Sequence, residues 1–238
     1  MTWSILVRDP ATGAIGAAVA TKFFAVGALC IHVEGGVGAL ATQALINPMY
    51  AVHGMPRLRN GQTPEAVAAA LLAADAGRAT RQLHILDAQG RIAQHTGADC
   101  IAWCGMVRGV DVSVAGNMLA GAAVIERTLA GWEAGSGPMA ERLLTALEAG
   151  EAAGGDKRGK QSAALKICTA DPYPDLDIRA ADHPDPLAEL RRLVAVSRER
   201  FSTFRTFLAG RDSPCGVFER AKIDAAVAAI GHDTTKSC

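Results

Sequence analysis

Neither sign of charge prevails in this chain: 24 Lys and Arg stand against 24 Asp and Glu. A formal net charge of zero leaves no electrostatic footprint for nucleic acid or for an anionic membrane surface. No run of roughly 18 apolar residues occurs, and no basic segment precedes an apolar core at the start. Neither a membrane span nor a secretory leader is expected, and the chain reads as cytoplasmic. The six cysteines, Cys30, Cys100, Cys104, Cys168, Cys215 and Cys238, follow no framework spacing. Cys100 and Cys104 make a C-x3-C pair with no second pair at finger spacing, so reduced thiols are expected. No His-x-x-x-His and no carboxylate–histidine cluster offers a first shell, so no metal and no cofactor is expected. A P-loop, a dinucleotide fingerprint and an internal repeat are missing too.

What is present suits one large domain. The 238 residues are 50% hydrophobic, and a chain of that length buries about 70–75% of its unfolded surface without a staple. The stretch Thr2-Trp3-Ser4-Ile5-Leu6-Val7 alternates as a strand, with Trp3, Ile5 and Val7 on one face and Thr2, Ser4 and Leu6 on the other. Thr2 is small enough for Met1 to be removed, which would leave a hydroxyl and a free α-amine on one residue. Such an amine titrates near ~7.7–8.0, and Thr activated by its own amine is a known nucleophile. Ser4, on the same face, is a candidate to hold that amine. A β-branched residue simply suited to a strand is the plainer reading of Thr2.

Asp9-Pro10-Ala11-Thr12-Gly13 is a turn, and Ile15–Ala20 returns as a hairpin strand of small residues, which suggests close backbone approach or room for a ligand. Lys22 ends it, either as a snorkelling surface residue or as a fixed positive charge. Strands are expected over Leu29–Val33 and Val37–Gln43, the second ending in Thr42-Gln43 and followed by Asn47-Pro48. These polar groups read as a ligand-facing rim or, for Asn47-Pro48, as a helix cap and turn. A helix capped by Thr63, a hairpin of Arg81–Leu86 and Arg91–Gln94 carrying His84 and His95, and a strand over Val110–Val114 come next. Asn117 stands at a Gly-rich junction before a helix bearing Val124, Ile125, Leu129 and Trp132, where it is either an amide donor or a cap. Pro138 opens a further helix. The charged loop from Gly154 through Asp156 to Gln161 and Ser162 leads to a final strand, Ala163–Cys168. The apolar positions Leu187, Leu190, Val194, Phe201, Phe204 and Leu208 keep roughly heptad spacing, a stripe that needs a partner. Residues 1–210 read as the main domain and 211–238 as a helical extension.

The order of these elements, together with Thr2-x-Ser4-Ile5, Arg8-Asp9-Pro10, Thr21-Lys22-Phe23, Gly36-Val37-Gly38-Ala39-x-Ala41-Thr42-Gln43 and Asn47-Pro48-x-Tyr50, resembles domain of unknown function 1028. Gly116-Asn117-Met118-Leu119, the Gly154–Ala163 run and Asp182-His183-Pro184-Asp185-Pro186 extend the likeness. That family lies in the N-terminal nucleophile (Ntn) hydrolase superfamily, so the resemblance implies a proteasome-like, four-layer αββα sandwich of two antiparallel sheets. Thr2 matches the position of the nucleophile in those relatives. Their Lys lies between the second and third strands, and Lys22 precedes that point.

The expected function is hydrolysis of a C–N bond in a small amide, ureide or lactam, by a homodimer or higher homo-oligomer. Thr2, Ser4, Lys22 and Asn117 are the candidate catalytic residues. Thr42, Gln43, Asn47, Asp156, Gln161 and Ser162 are the candidates for holding substrate. The alternative is a binding or assembly module without catalysis on the same scaffold. A Cys-based hydrolase or redox protein would rest on Cys30 or Cys100.

Overall fold

The computed structural model describes residues 2–233, with side chains to residue 230; Met1, and so its expected removal, and Cys238 lie outside them. The chain divides into two compact units after Leu190.

The first unit is organised around β1 (Thr2–Arg8), which lies inside a six-stranded antiparallel sheet. It pairs with β2 (Ile15–Thr21) on one side and with β8 (Val112–Asn117) on the other. The hairpin between β1 and β2 is held by Asp9, whose carboxylate accepts from Ala11 N–H and the Thr12 hydroxyl, both at 2.9 Å. Those two bonds pull the Asp9 carboxyl below the usual range. Gly13, with φ of 74°, completes the turn.

A second sheet of four strands has the order β3 (Ile31–Glu34), β4 (Gly38–Ala44), β5 (Arg81–Asp87), β6 (Ile92–Thr96). The larger sheet is completed by β7 (Gly105–Gly109), β9 (Ser162–Cys168) and β10 (Leu176–Ala180), in the order β10-β9-β2-β1-β8-β7. Helices α1 (Met49–Arg59) and α2 (Pro64–Ala73) cover the smaller sheet, and α3 (Ala123–Ala134) and α4 (Met139–Ala152) cover the larger. The result is the four-layer αββα sandwich that the resemblance implies. Thr63 caps α2 as expected, its hydroxyl accepting from Ala66 N–H at 3.3 Å.

Alternation along the strands decides what meets between the sheets. Trp3 and Ile5 are fully buried, and Trp3 lies beside Gly150 of α4. Leu6 points the other way, into an interlayer cluster with Ile15, Ala17, Val19, Ala39, Ala41, Leu86 and Ile92. Toward the Thr2 end the same inner face changes character, because its residues are Thr2, Ser4, Thr21, Gln43, Gln82, His84, Ser113 and Asn117, all buried. The interlayer is thus oily at one end and polar at the other.

Of the two readings of Asn47-Pro48 the helix cap holds: residues 49–59 form a helix started by Asn47, whose side-chain oxygen accepts from Met49 N–H at 3.1 Å. Several elements differ from the sequence expectation. The strand expected at Val110 starts at Val112, because Val110 and Asp111 (φ 57°) turn the chain between β7 and β8. Cys168 does not end the last strand of the fold; β10 follows it. The apolar stripe that begins at Leu187 does not run along one helix. α5 (Pro186–Glu199) carries the chain into the second unit, and Arg200, at φ −148° and ψ −45°, separates it from α6 (Phe201–Arg205); α7 (Arg220–Asp233) follows. Among the described residues, no helix is long and apolar enough to cross a membrane.

Candidate active site

Strand register brings the site residues to one end of the sandwich. Thr2 pairs with Thr21 on one side and Asn117 on the other, and in the facing sheet Gln43 pairs with Gln82. Their inward side chains meet across the interlayer. Thr2 Oγ1 lies 3.1 Å from Thr21 Oγ1. The Thr2 carbonyl accepts from Gln43 Nε2 and Asn117 Nδ2, each at 3.4 Å.

Gln82 ties those two amides together. Its Oε1 accepts from Gln43 Nε2 at 2.7 Å and from Asn117 Nδ2 at 3.1 Å. Its Nε2 lies within reach of Thr96 Oγ1, Gly105 O and Gly116 O, at 2.9, 3.2 and 2.9 Å. Both hydrogens of Asn117 Nδ2 are therefore engaged, on Thr2 O and on Gln82.

A second arm runs through Ser4 and His84, and proton counting fixes its direction. Ser4 Oγ donates its single hydrogen to Gln43 Oε1 at 2.6 Å. The 2.8 Å contact between Ser4 Oγ and His84 Nε2 must then be donated by the imidazole. That leaves His84 Nδ1 as the acceptor, 2.8 Å from Ser113 Oγ, which itself accepts from Gln94 Nε2 at 2.9 Å. One neutral tautomer satisfies every contact. Burial agrees with it, lowering the His84 pKa to about 3. The whole cluster carries no charge.

Two cavities open at this end of the sandwich, one of them onto Thr2. One, of about 170 Å³, has Thr2, Val26, Cys30 and Gln43 in its wall. The other, of about 300 Å³, is bordered by Asp99, Cys100, Ile101, Asn117 and Met118. Ala44 and Leu45 belong to both. The backbone is strained here: Ala25, Ala44 and Met118 hold φ of 52°, 70° and 55°. Non-glycine residues in that region cost on the order of 1–3 kcal/mol each and concentrate where surrounding structure enforces a shape. Cys30 is buried, and desolvation pushes its thiol up to about 12, so it is a neutral S–H, donated to Gln43 Oε1 at 3.8 Å.

Thr2, Ser4, Gln43 and Asn117 thus come together, and the remaining sequence candidates are placed as follows. Lys22 has an exposed side chain with Nζ 3.4 Å from Lys160 O, while its backbone N–H donates to Asp156 Oδ2 at 2.8 Å. Asp156 is buried, paired with Arg158 at 3.2 Å, and accepts from Arg158 N–H at 2.8 Å. Thr42 Oγ1 accepts from Asn47 N–H at 3.2 Å, and Asn47 Nδ2 donates to Asp75 at 3.0 Å. Gln161 donates to Asp182 at 3.1 Å and, through its backbone, to Thr21 O at 2.9 Å. Ser162 accepts from Val26 N–H at 3.1 Å and donates to Phe23 O, which fixes the loop over the smaller cavity. Sequence reasoning passed over Thr21, Gln82 and Ser113 and took His84 as a structural strand residue. Their signal was polar side chains at alternate, inward positions of otherwise apolar strands.

Among the described residues, no group of three or more His, Cys, Asp or Glu is placed to hold a metal. No curated protein matches the chain. A crystal structure of a Silicibacter pomeroyi protein assigned to DUF1028 superposes with a TM-score of 0.84 at 30% identity, covering 92% of this chain and 99% of that one. The Anbu (ancestral beta-subunit) protein from Yersinia bercovieri gives a TM-score of 0.38 at 14% identity, covering 82% of this chain and 96% of that one. A superposition that loose supports no inference about activity or assembly. With residues 2–190 matched by the sequence model of the family, this chain belongs to the family of unknown function DUF1028.

Proposed function

We propose that this chain is an N-terminal-nucleophile hydrolase that cleaves the C–N bond of a small amide, ureide or lactam. Thr2 Oγ1 is the nucleophile and the α-amine of Thr2, freed by loss of Met1, is the base. The observation that carries this reading is that Thr2 lines a cavity inside a hydrogen-bonded cluster whose other side chains are all neutral. With His84 held unprotonated by burial, an amine at Thr2 would be the ionisable base nearest the hydroxyl.

In this mechanism the hydroxyl proton passes to the amine as Oγ1 attacks the carbonyl carbon. The tetrahedral adduct collapses, the C–N bond breaks, and the leaving nitrogen takes that proton. Water then attacks the acyl-Thr2 ester, with the amine as base again, releasing the carboxylic acid. Gln43 and Asn117 act on the Thr2 carbonyl and hold the residue in place. Ser4 acts through Gln43.

A second reading, ligand binding without turnover, draws on one observation. Both hydrogens of Asn117 Nδ2 are engaged within the cluster, so that amide does not donate to an oxyanion unless it turns.

The test is a screen of small amides, ureides and lactams against wild type and Thr2→Ala, with intact-mass measurement of the N-terminus. Turnover lost in Thr2→Ala, in protein that begins at Thr2, is the expected result. A robust hit whose rate survives Thr2→Ala overturns the assignment, and retention of Met1 in active protein removes the amine mechanism.

A further inference from the structure

The wall of the smaller cavity says what kind of acyl group it takes. Thr2, Val26, Cys30 and Gln43 are its buried residues. Among the described residues, no Asp, Glu, Lys, Arg or His contributes to it. Cys30 is neutral there, and the polar atoms of Gln43 are directed at Ser4, Gln82 and Thr2 O. A charged group entering this space would lose its hydration and meet no counter-charge from a side chain, and the Thr2 amine is neutral when it serves as base, so the cost is several kcal/mol.

Its mouth is apolar as well. Phe23, Leu29 and Leu45 line it while 56, 44 and 63% exposed, unusually open for residues of their size. The loop that carries the first two is fixed in place. Ala25 N–H donates to Ala181 O at 2.9 Å, Ser162 binds both Val26 N–H and Phe23 O, and a Cβ on Gly27 would come within 2.2 Å of Ala164 Cβ. These side chains are therefore presented by a braced segment, beside the candidate nucleophile.

Size narrows the class further. The cavity holds about 170 Å³, close to the ~150 Å³ of an apolar cavity that accepts benzene.

We infer that this cavity is the acyl pocket of the enzyme and that it selects amides with an uncharged, apolar acyl group of about phenyl size. The inference rests on the Thr2 reading above for the word acyl, but binding in the pocket does not require turnover. It excludes amides whose acyl part ends in a carboxylate or an ammonium group.

The test separates the two readings by measuring binding in a variant that cannot react. Phenylacetamide and glutamine are titrated into Thr2→Ala and into Thr2→Ala with Leu29→Glu, by calorimetry or ligand-observed NMR. Phenylacetamide is expected to bind at least tenfold more tightly than glutamine. Leu29→Glu, at an exposed position that leaves the far-UV circular dichroism unchanged, is expected to weaken phenylacetamide at least tenfold. In wild type, phenylacetamide is expected to be hydrolysed and glutamine not. Phenylacetamide that binds by these criteria without hydrolysis overturns the Thr2 reading and leaves the pocket standing as a binding site. Hydrolysis confined to charged amides overturns the pocket assignment and leaves Thr2 standing. Absence of phenylacetamide binding, or binding indifferent to Leu29→Glu, overturns the pocket assignment.

Discussion

Ser4 Oγ and His84 Nε2 face each other across the two sheets at 2.8 Å, in a contact that the imidazole donates from a proton on Nε2. A second proton would go to Nδ1, which already accepts from Ser113. It would also place a charge in a site where burial has lowered the His84 pKa to about 3.

This has a consequence for stability against pH. Unfolded, His84 titrates near ~6.5, so between that value and about 3 the unfolded chain binds the proton that the folded chain refuses. Stability is present in full above ~6.5 and falls as pH drops through this window, with a slope approaching ~1.4 kcal/mol per pH unit for one proton. His32, also lowered, mainly by burial, contributes in the same direction. Urea unfolding of wild type and His84→Gln at pH 7.5, 6 and 5 isolates the His84 part. The variant is expected to lose less stability on acidification, and parallel pH dependences would refute the assignment.

Gln82 should be the costliest residue of the cluster to remove. Gln82→Leu takes the acceptor from Gln43 and Asn117 and the donor from Gly116 O, all buried. Each buried polar group left without a partner costs ~1–3 kcal/mol, so a loss of ~3 kcal/mol or more is expected. Gln89→Leu, in the exposed turn between β5 and β6, should stay within ~0.5 kcal/mol. Comparable denaturation midpoints for the two variants would show that the amide cluster does not hold this end of the sandwich together.

The sequence made the layer order and the central hairpin legible because β1 and β2 alternate cleanly and are punctuated by Asp9, Pro10 and Gly13. It hid α1, whose exposed residues include Met49 and Val52, so that its face toward β4 is marked mainly by Tyr50, Met55 and Leu58. β7 was hidden too, because Gly105-Met106-Val107-Arg108-Gly109 is short and only half covered. In the site, Thr2, Gln43 and Asn117 were visible as strand-end polar residues. Gln82 and His84 were not, since which polar strand residue turns inward depends on a register that only pairing across the sheet fixes.

The apolar stripe from Leu187 to Leu208 gives a prediction about assembly. Of its positions Leu187, Leu190 and Val194 are already buried within the chain, while Phe201 and Leu208 are 42 and 40% exposed. Fully burying such a side chain contributes ~1.5–3 kcal/mol, so covering the exposed part of each contributes ~0.6–1.3 kcal/mol. A homodimer through this face is expected by light scattering at micromolar concentration, and Phe201→Lys combined with Leu208→Lys is expected to yield monomer. A monomeric wild type would exclude it.

The sharpest contrast lies between Thr2 and Ser4, two hydroxyls on the inner face of one strand. Thr2 is 7% exposed, so position 2 is not a surface position despite its place at a strand end. Thr2→Ala gives up the contact with Thr21 and is expected to cost ~0.5–1.5 kcal/mol. If Thr2 is the nucleophile, the same change should lower the rate by on the order of 10⁶, the scale seen when a serine protease loses its own. Ser4→Ala should invert the ranking. It leaves Gln43 Oε1 and His84 Nε2 each short of a partner in a buried site, for ~1–3 kcal/mol of stability. Because Ser4 reaches Thr2 only through Gln43, it should reduce kcat partially and leave KM nearly unchanged. Paired measurements of unfolding free energy and turnover on the two variants check this. A Ser4→Ala enzyme as dead as Thr2→Ala, or a Thr2→Ala enzyme that still turns over, would remove Thr2 from the centre of the mechanism.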